Sequence, residues 1–163
     1  MLTKRKTLAL AATALSFALL GGCASVAPPT NVADTAARTP QLSTLNRLLI
    51  DSGLADTLRG TGPYTLFAPS DEAFKALSPK VMAELSSDKA RLQSVLSYHV
   101  VAAKMSTAEV KPGNAKTVEG SNLALGKAGT FVTVEDAMVQ QADLPATNGV
   151  IHVVDRVLMP PKR

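Results

Sequence analysis

Asn148-Gly-Val-Ile-His-Val-Val-Asp-Arg-Val-Leu158 begins with a turn pair and continues as an apolar run. Successive side chains of a strand point to opposite sides, so Val150, His152 and Val154 share one face while Ile151 and Val153 share the other. Both faces are apolar, which predicts a central strand buried on both sides, running from Val150 to about Leu158. The second informative stretch lies far upstream, at Thr65-Leu-Phe-Ala-Pro-Ser-Asp-Glu-Ala-Phe74. Tyr64 to Ala68 reads as a strand, bounded by the turn Gly60-Thr-Gly-Pro63 and by Pro69. Ser70-Asp71-Glu72 then reads as a helix start: the Ser oxygen can accept from free N–H groups, and acids suit the positive end of the helix dipole.

Between and before these stretches the periodicity is helical. Leu42, Leu45, Leu48 and Leu49 recur at helix spacing and are followed by Asp51-Ser-Gly53, with a short second helix expected over Leu54 to Leu58. Ser78-Pro79 opens a helix that should reach about Leu85, with Pro in the first turn where its missing N–H costs nothing. Ser87-Asp88 opens another, on which Leu92, Val95, Leu96 and His99 fall on one face. Beyond Val100 the texture becomes β-prone, with strands expected at 117–119, 123–125, 131–134 and 150–158. Turns are expected at 111–114, 126–129 and 148–149. Helices first and strands later predict an α+β domain, without the alternation of a doubly wound sheet.

The chain has 163 residues, 46% hydrophobic and 18% charged, enough for one globular domain with a core. Its net charge of +4 is misleading, because Lys4, Arg5 and Lys6 precede every acidic residue; fourteen basic and thirteen acidic residues remain without them. A nearly neutral body with no Lys/Arg cluster lacks what a phosphate backbone demands, so no nucleic-acid partner is expected.

Residues 1–22 read as a signal peptide: the basic start, an apolar run from Thr7 to Leu20, then small residues. As a helix that run would span only about 21 Å, short of a hydrocarbon core of roughly 30 Å. Leu20-Gly-Gly-Cys23 resembles the bacterial lipobox, in which lipid is attached to the Cys thiol and cleavage leaves that Cys as the first residue. Cys23 is the only cysteine, so it can form no internal disulfide, and a lipid anchor accounts for it; unlipidated secretion is the alternative. By the same resemblance Ala24, not being Asp, favours the outer membrane in a Gram-negative cell. The expected organisation is a signal peptide over 1–22, a Pro- and Ala-containing tether over 23–38 and a single domain over 39–163.

Signatures of catalysis are missing. No Gly-x-Ser-x-Gly elbow, Walker loop or His-Glu-x-x-His pair occurs. His99 and His152 have no Cys beside them, so no metal and no cofactor is expected. Either could serve as a general base, but on apolar faces both read first as neutral, buried imidazoles bonded to backbone or hydroxyl groups. Asp71 and Glu72 read as helix-capping acids rather than a sugar-cleaving pair.

The segments 65–74, Tyr98-His-Val-Val101 and 148–158 together closely resemble the fasciclin domain family, the first and last matching its two signature stretches in type, order and separation over about residues 39–160. The resemblance implies a β-sheet wedge with several short helices packed on it, no shared catalysis or cofactor, and adhesion or protein interaction at a cell surface. In animal members integrin contact is associated with an Asp-Ile pair just before the second signature and with a Tyr-His segment. Asp143-Leu144 and Tyr98-His99 occupy those places here, with Leu for Ile and with Pro145 following. These four residues are the expected partner-binding set; the alternative is that Asp143 caps a turn and Tyr98 packs in the core. The expected function is a lipid-anchored adhesion module held to a membrane through Cys23. The rival is an envelope lipoprotein that binds another protein or a small ligand without adhesion.

Overall fold

The computed structural model describes residues 30–161. The expected signal peptide, Cys23 and the first part of the expected tether lie outside the described residues. The chain forms α1 (Val32–Arg38), a 3-10 turn (Pro40–Leu42), α2 (Ser43–Ser52), α3 (Leu54–Leu58), β1 (Tyr64–Pro69), α4 (Asp71–Lys75), α5 (Pro79–Ser87) and α6 (Lys89–Tyr98). Six strands follow: β2 (Val100–Val101), β3 (Gly113–Lys116), β4 (Asn122–Ala128), β5 (Phe131–Val134), β6 (Ala137–Ala146) and β7 (Gly149–Val154). Helices precede most of the strands, so the class is α+β.

The helix starts form where capping chemistry placed them. Ser70 Oγ accepts from Ala73 N–H (3.2 Å), Ser78 Oγ from Val81 N–H (3.4 Å), and Asp88 Oδ1 from Ala90 (3.0 Å) and Arg91 (3.1 Å). α2 has no capping side chain of its own. Asp71 supplies one from a distance, accepting from Thr44 N–H (2.8 Å) and Ser43 Oγ–H (2.7 Å), and so joins the starts of α2 and α4. Burial pushes the Asp71 carboxyl up, but these hydrogen bonds outweigh it and leave its pKa lowered. Gly53 ends α2 in the left-handed region (φ 80).

The seven strands form one mixed sheet in the order β2-β1-β7-β6-β5-β4-β3. β1 and β7 lie parallel as its second and third strands, Tyr64 opposite Gly149 through Pro69 opposite Val154, and every residue of β7 is buried. The two faces of this pair feed different cores. Leu66, Ala68, Ile151 and Val153 face the helices, joining Leu45, Leu49, Leu58, Leu96 and others. Phe67 and Val154 face Leu123, Leu125, Val132 and Val134 of the later strands. The sheet can supply both walls of this second core because it curls on itself: a bridge pairs Val101, in one edge strand, with Thr117, just after the other. The result is a wedge with helices on one flank.

Several sequence expectations are corrected. The tether was expected to reach Arg38, but Val32–Arg38 is helix α1, capped by Asn31 Oδ1, with Val32, Ala33 and Ala36 buried against the helical core. Seven residues, of which only Val32, Ala33, Ala36 and Ala37 are apolar, are too few to display a period. β6, the longest strand, was not anticipated, because two register breaks, between Val139 and Gln141 and between Gln141 and Leu144, destroy its alternation. The strand expected at 117–119 sits earlier, at Gly113–Lys116, and β4 runs on to Ala128 through the expected turn. β7 ends at Val154, short of Leu158.

Asn148 joins these parts. Its Oδ1 accepts from Val32 N–H (2.8 Å), its Nδ2 donates to the carbonyls of Leu58 (2.8 Å) and Gly60 (2.6 Å), and its own carbonyl accepts from Tyr64 N–H (3.0 Å). Asn148→Ala removes the three side-chain bonds and leaves their partners unsatisfied. An expected loss of about 3 kcal/mol follows, at roughly 1 kcal/mol or more for each group left without a partner. Urea unfolding of wild type and variant at neutral pH checks it.

Candidate functional site

α6 runs straight into β2, and the junction carries Tyr98 and His99 inward. Tyr98 is buried in the sheet core, its hydroxyl 3.2 Å from the Asn122 carbonyl and 3.1 Å from Glu135 Oε1. Burial first, then the Glu135 carboxylate, pushes the Tyr98 pKa up to about 12, so the phenol stays protonated. His99 has no solvent exposure. Its Nε2 lies 3.0 Å from the Leu158 backbone N–H, which can only donate, so Nε2 is the acceptor and the proton sits on Nδ1, 2.8 Å from the Val95 carbonyl. The ring is therefore neutral, and burial lowers its pKa to about 4 against the opposing pull of the Val95 carbonyl. Tyr98 and His99 were expected to contact a partner. That expectation is corrected: both are buried core residues in the structure, as the alternative reading of Tyr98 had it.

His152 is spent in the same way. Nδ1 accepts from Asp143 N–H (3.2 Å) and Nε2 donates to the Met105 carbonyl (2.7 Å), while the ring stacks on Phe67 with centroids 5.5 Å apart. Burial lowers its pKa, outweighing the Met105 carbonyl and the Asp143 carboxylate. Both ring nitrogens of each histidine are engaged by backbone, an arrangement that ties segments together and leaves neither ring free to take a proton from a hydroxyl. Among the described residues no group of three His, Cys, Asp or Glu side chains could hold a metal ion, and no helix is long and apolar enough to cross a membrane.

Asp143 and Leu144 lie on the surface. Asp143 sits in the second irregular stretch of β6, in the left-handed region (φ 56), with an exposed side chain. Its carboxylate accepts from the Thr107 backbone N–H (2.9 Å) and from the Thr107 hydroxyl. Burial raises the Asp143 pKa, but the Thr107 bonds and the nearby His152 leave it lowered, so the group is a carboxylate at neutral pH. Leu144 is half-buried and packs against the helical core.

Around Asp143 the loop from β2 to β3 is fixed at several points. Thr65 Oγ1 donates to the Ala103 carbonyl (2.6 Å) and accepts from Met105 N–H (2.9 Å). Lys127 Nζ donates to the carbonyls of Thr107 (2.7 Å) and Ala108 (3.3 Å). Lys127 and Thr107 carry no sequence signal for this role, since a lone Lys and a lone Thr on separate elements meet only through the fold. The chemistry available here is recognition: a carboxylate held on a pre-ordered loop surface.

The model of the fasciclin domain matches residues 40–160. The chain belongs to the fasciclin domain family. This fasciclin domain is 36% identical over 132 residues to protein sll1483 of Synechocystis sp., covering 80% of this chain and 73% of that protein. It is 36% identical over 135 residues to cell surface glycolipoprotein MPB83 of Mycobacterium bovis, covering 80% of this chain and 60% of the relative. Among solved structures it resembles a FAS1 domain pair from the insect cell adhesion molecule Fasciclin I, with a TM-score of 0.63 and 19% identity over 80% of this chain and 51% of that one. This likeness agrees with the wedge of curled sheet and short helices described above.

Proposed function

We propose that this protein is a non-catalytic adhesion or protein-interaction module, exported and held on the outer face of the cell by acyl chains on Cys23. In a Gram-negative cell its site is the outer membrane. One observation carries the interaction reading: Asp143 is presented as a carboxylate on a surface that His152, Thr65 and Lys127 hold in place, with Leu144 half-exposed beside it. A preordered surface loses little entropy on binding, and a fixed charge beside an apolar side chain lets a partner be selected. The family's cell-surface members, one named a glycolipoprotein and one a cell adhesion molecule, support the location. Two acyl chains anchor stably where one does so marginally, and clustering on a membrane multiplies weak contacts.

The test uses cells producing the full chain, cells lacking it, and cells producing Asp143→Ala or Cys23→Ser. Adhesion to neighbouring cells and to matrix-coated surfaces is expected to fall about tenfold in Asp143→Ala, the scale of one central contact residue. The melting temperature of the variant, measured in parallel, confirms that it is folded. Cys23→Ser is expected to leave the membrane fraction. Adhesion equal in cells with and without the chain would refute the adhesive role.

A further inference from the structure

β2 and β3 are the two ends of the sheet, and they meet through the Val101–Thr117 bridge and a bond from Val118 N–H to the Val100 carbonyl (2.8 Å). The direction in which β3 points its backbone groups follows from β4. Ala124 donates its N–H to Glu135 Oε1 (2.8 Å) and accepts the Glu135 N–H at its carbonyl (2.8 Å), so its backbone faces the β5 side. Adjacent strand residues send their N–H and C=O groups to opposite edges, so Leu123 and Leu125 face β3 and bond to their register partners Ala115 and Gly113. Asn114 and Lys116 therefore turn their backbone groups away from β4, toward the seam.

Beyond the bridge, no described strand pairs with this edge. Thr65 instead draws the chain after β2 toward β1 through Ala103 and Met105. A groove of about 510 Å³ opens between Ala102, Ala103 and Met105 on one wall and Asn114, Ala115 and Lys116 on the other. An unpaired strand edge is a template for another strand. The charge around it selects which one. Lys104, Lys111 and Lys116 are exposed, and none is in an ion pair among the described residues. Glu109, which accepts from the Ser106 N–H and hydroxyl with Lys104 nearby, and Asp143, which accepts from Thr107, keep their negative charge beside this rim, and the three lysines outnumber them. A second copy of this chain would set these lysines against themselves.

We infer that the seam is a strand-acceptor site for an extended acidic segment of a partner protein. The segment pairs with the β3 edge at Asn114, lays small apolar side chains into the groove and meets the three lysines with its carboxylates. This surface is separate from Asp143, and its existence does not depend on the adhesive role.

The test titrates the isotope-labelled full chain, in mild detergent, with a synthetic peptide of about ten residues, a long strand's length, that alternates Val with Glu. A counterpart carries Lys in place of Glu. The acidic peptide is expected to shift the amide resonances of Ala102, Ala103, Asn114 and Lys116 and to slow exchange of the Asn114 N–H, while the basic one does neither. Lys104→Glu with Lys116→Glu is expected to invert the preference by about tenfold or more, because like charges then face each other. Asn114→Pro removes the outward donor without touching the β4 ladder and is expected to weaken binding at unchanged melting temperature. If that variant does not fold, the charge reversal decides alone. Unshifted seam amides, equal binding of the two peptides, or shifts that follow protein concentration without peptide, the mark of a second copy, would each overturn the proposal. Loss of the Asp143-dependent adhesion leaves these readouts unchanged.

Discussion

Replacing Gly149 with Ala is expected to abolish the folded state. A Cβ built on Gly149 would stand 2.0 Å from the Tyr64 carbonyl oxygen and 2.9 Å from Val32 Cγ2. Tyr64 is the register partner of Gly149 where β1 and β7 begin to pair, so the obstructing atom is backbone and cannot rotate aside. Relief requires β1 and β7 to separate at that end, which also loosens α1 and the Asn148 bonds. The expected cost is above about 4 kcal/mol, in the range reserved for lost core structure. Gly53→Ala is the control. A Cβ at Gly53 meets nothing within 4 Å, but the backbone is left-handed (φ 80), so its expected cost is only about 1 kcal/mol. Thermal melting followed by circular dichroism separates the two: a shift of a few degrees for Gly53→Ala, and no cooperative transition for Gly149→Ala. A cooperative melt of Gly149→Ala within a few degrees of wild type would show that β1 and β7 are spaced more widely than described.

Acid is expected to destabilise the protein well above the carboxylate range, through His99. Its folded pKa is about 4 against 6.5 for an unperturbed imidazole, so between these values the unfolded chain binds a proton that the folded chain refuses. Stability is therefore complete above about pH 6.5 and falls as the pH drops toward 4. The full difference corresponds to about 3 kcal/mol. His152 is displaced in the same direction and adds to the fall. Asp71 and Asp143 are lowered below the ordinary carboxylate value, so their contributions are lost only at still lower pH and leave this window clear. His99→Gln retains a donor and an acceptor but does not titrate. It is expected to cost about 1 to 2 kcal/mol at pH 7, for imperfect replacement of two hydrogen bonds, and to flatten most of the dependence between pH 6.5 and 4. Urea midpoints at pH 7 and pH 4.5 for both proteins check this. An unchanged acid slope in the variant would assign the effect to other groups.

The helical half of the fold was legible because its signals are local. Ser70, Ser78 and Asp88 cap with groups two or three residues away, and Gly53 ends α2 through its own backbone freedom. β1 and β7 were legible because strands buried on both faces have no polar side to confuse the pattern. β6 was not, since its breaks around Gln141 and Asp143 are set by what it crosses, His152 and the loop at Thr107, rather than by its own residues. α1 was missed because, beyond its local cap at Asn31, it is held by Asn148, 116 positions away from Val32, and by the core it covers.

The candidate site divides along the same line. Family resemblance singled out Asp143, Leu144, Tyr98 and His99 as one set, and the wedge separates them: two on the surface, two sealed beneath it. Residue type alone determined that the histidines sit on apolar elements and that two strands buried on both faces, with capped helices, make an α+β unit. Only the tertiary structure decided which polar groups meet solvent. A side chain's exposure depends on the element that packs over it, and here that element is usually distant in sequence: Leu158 over His99, Glu135 beside Tyr98, Thr107 clasping Asp143. The open seam between β2 and β3 belongs to the same class of fact, because a strand's free edge comes from what fails to pair with it and is written in no residue of the strand itself.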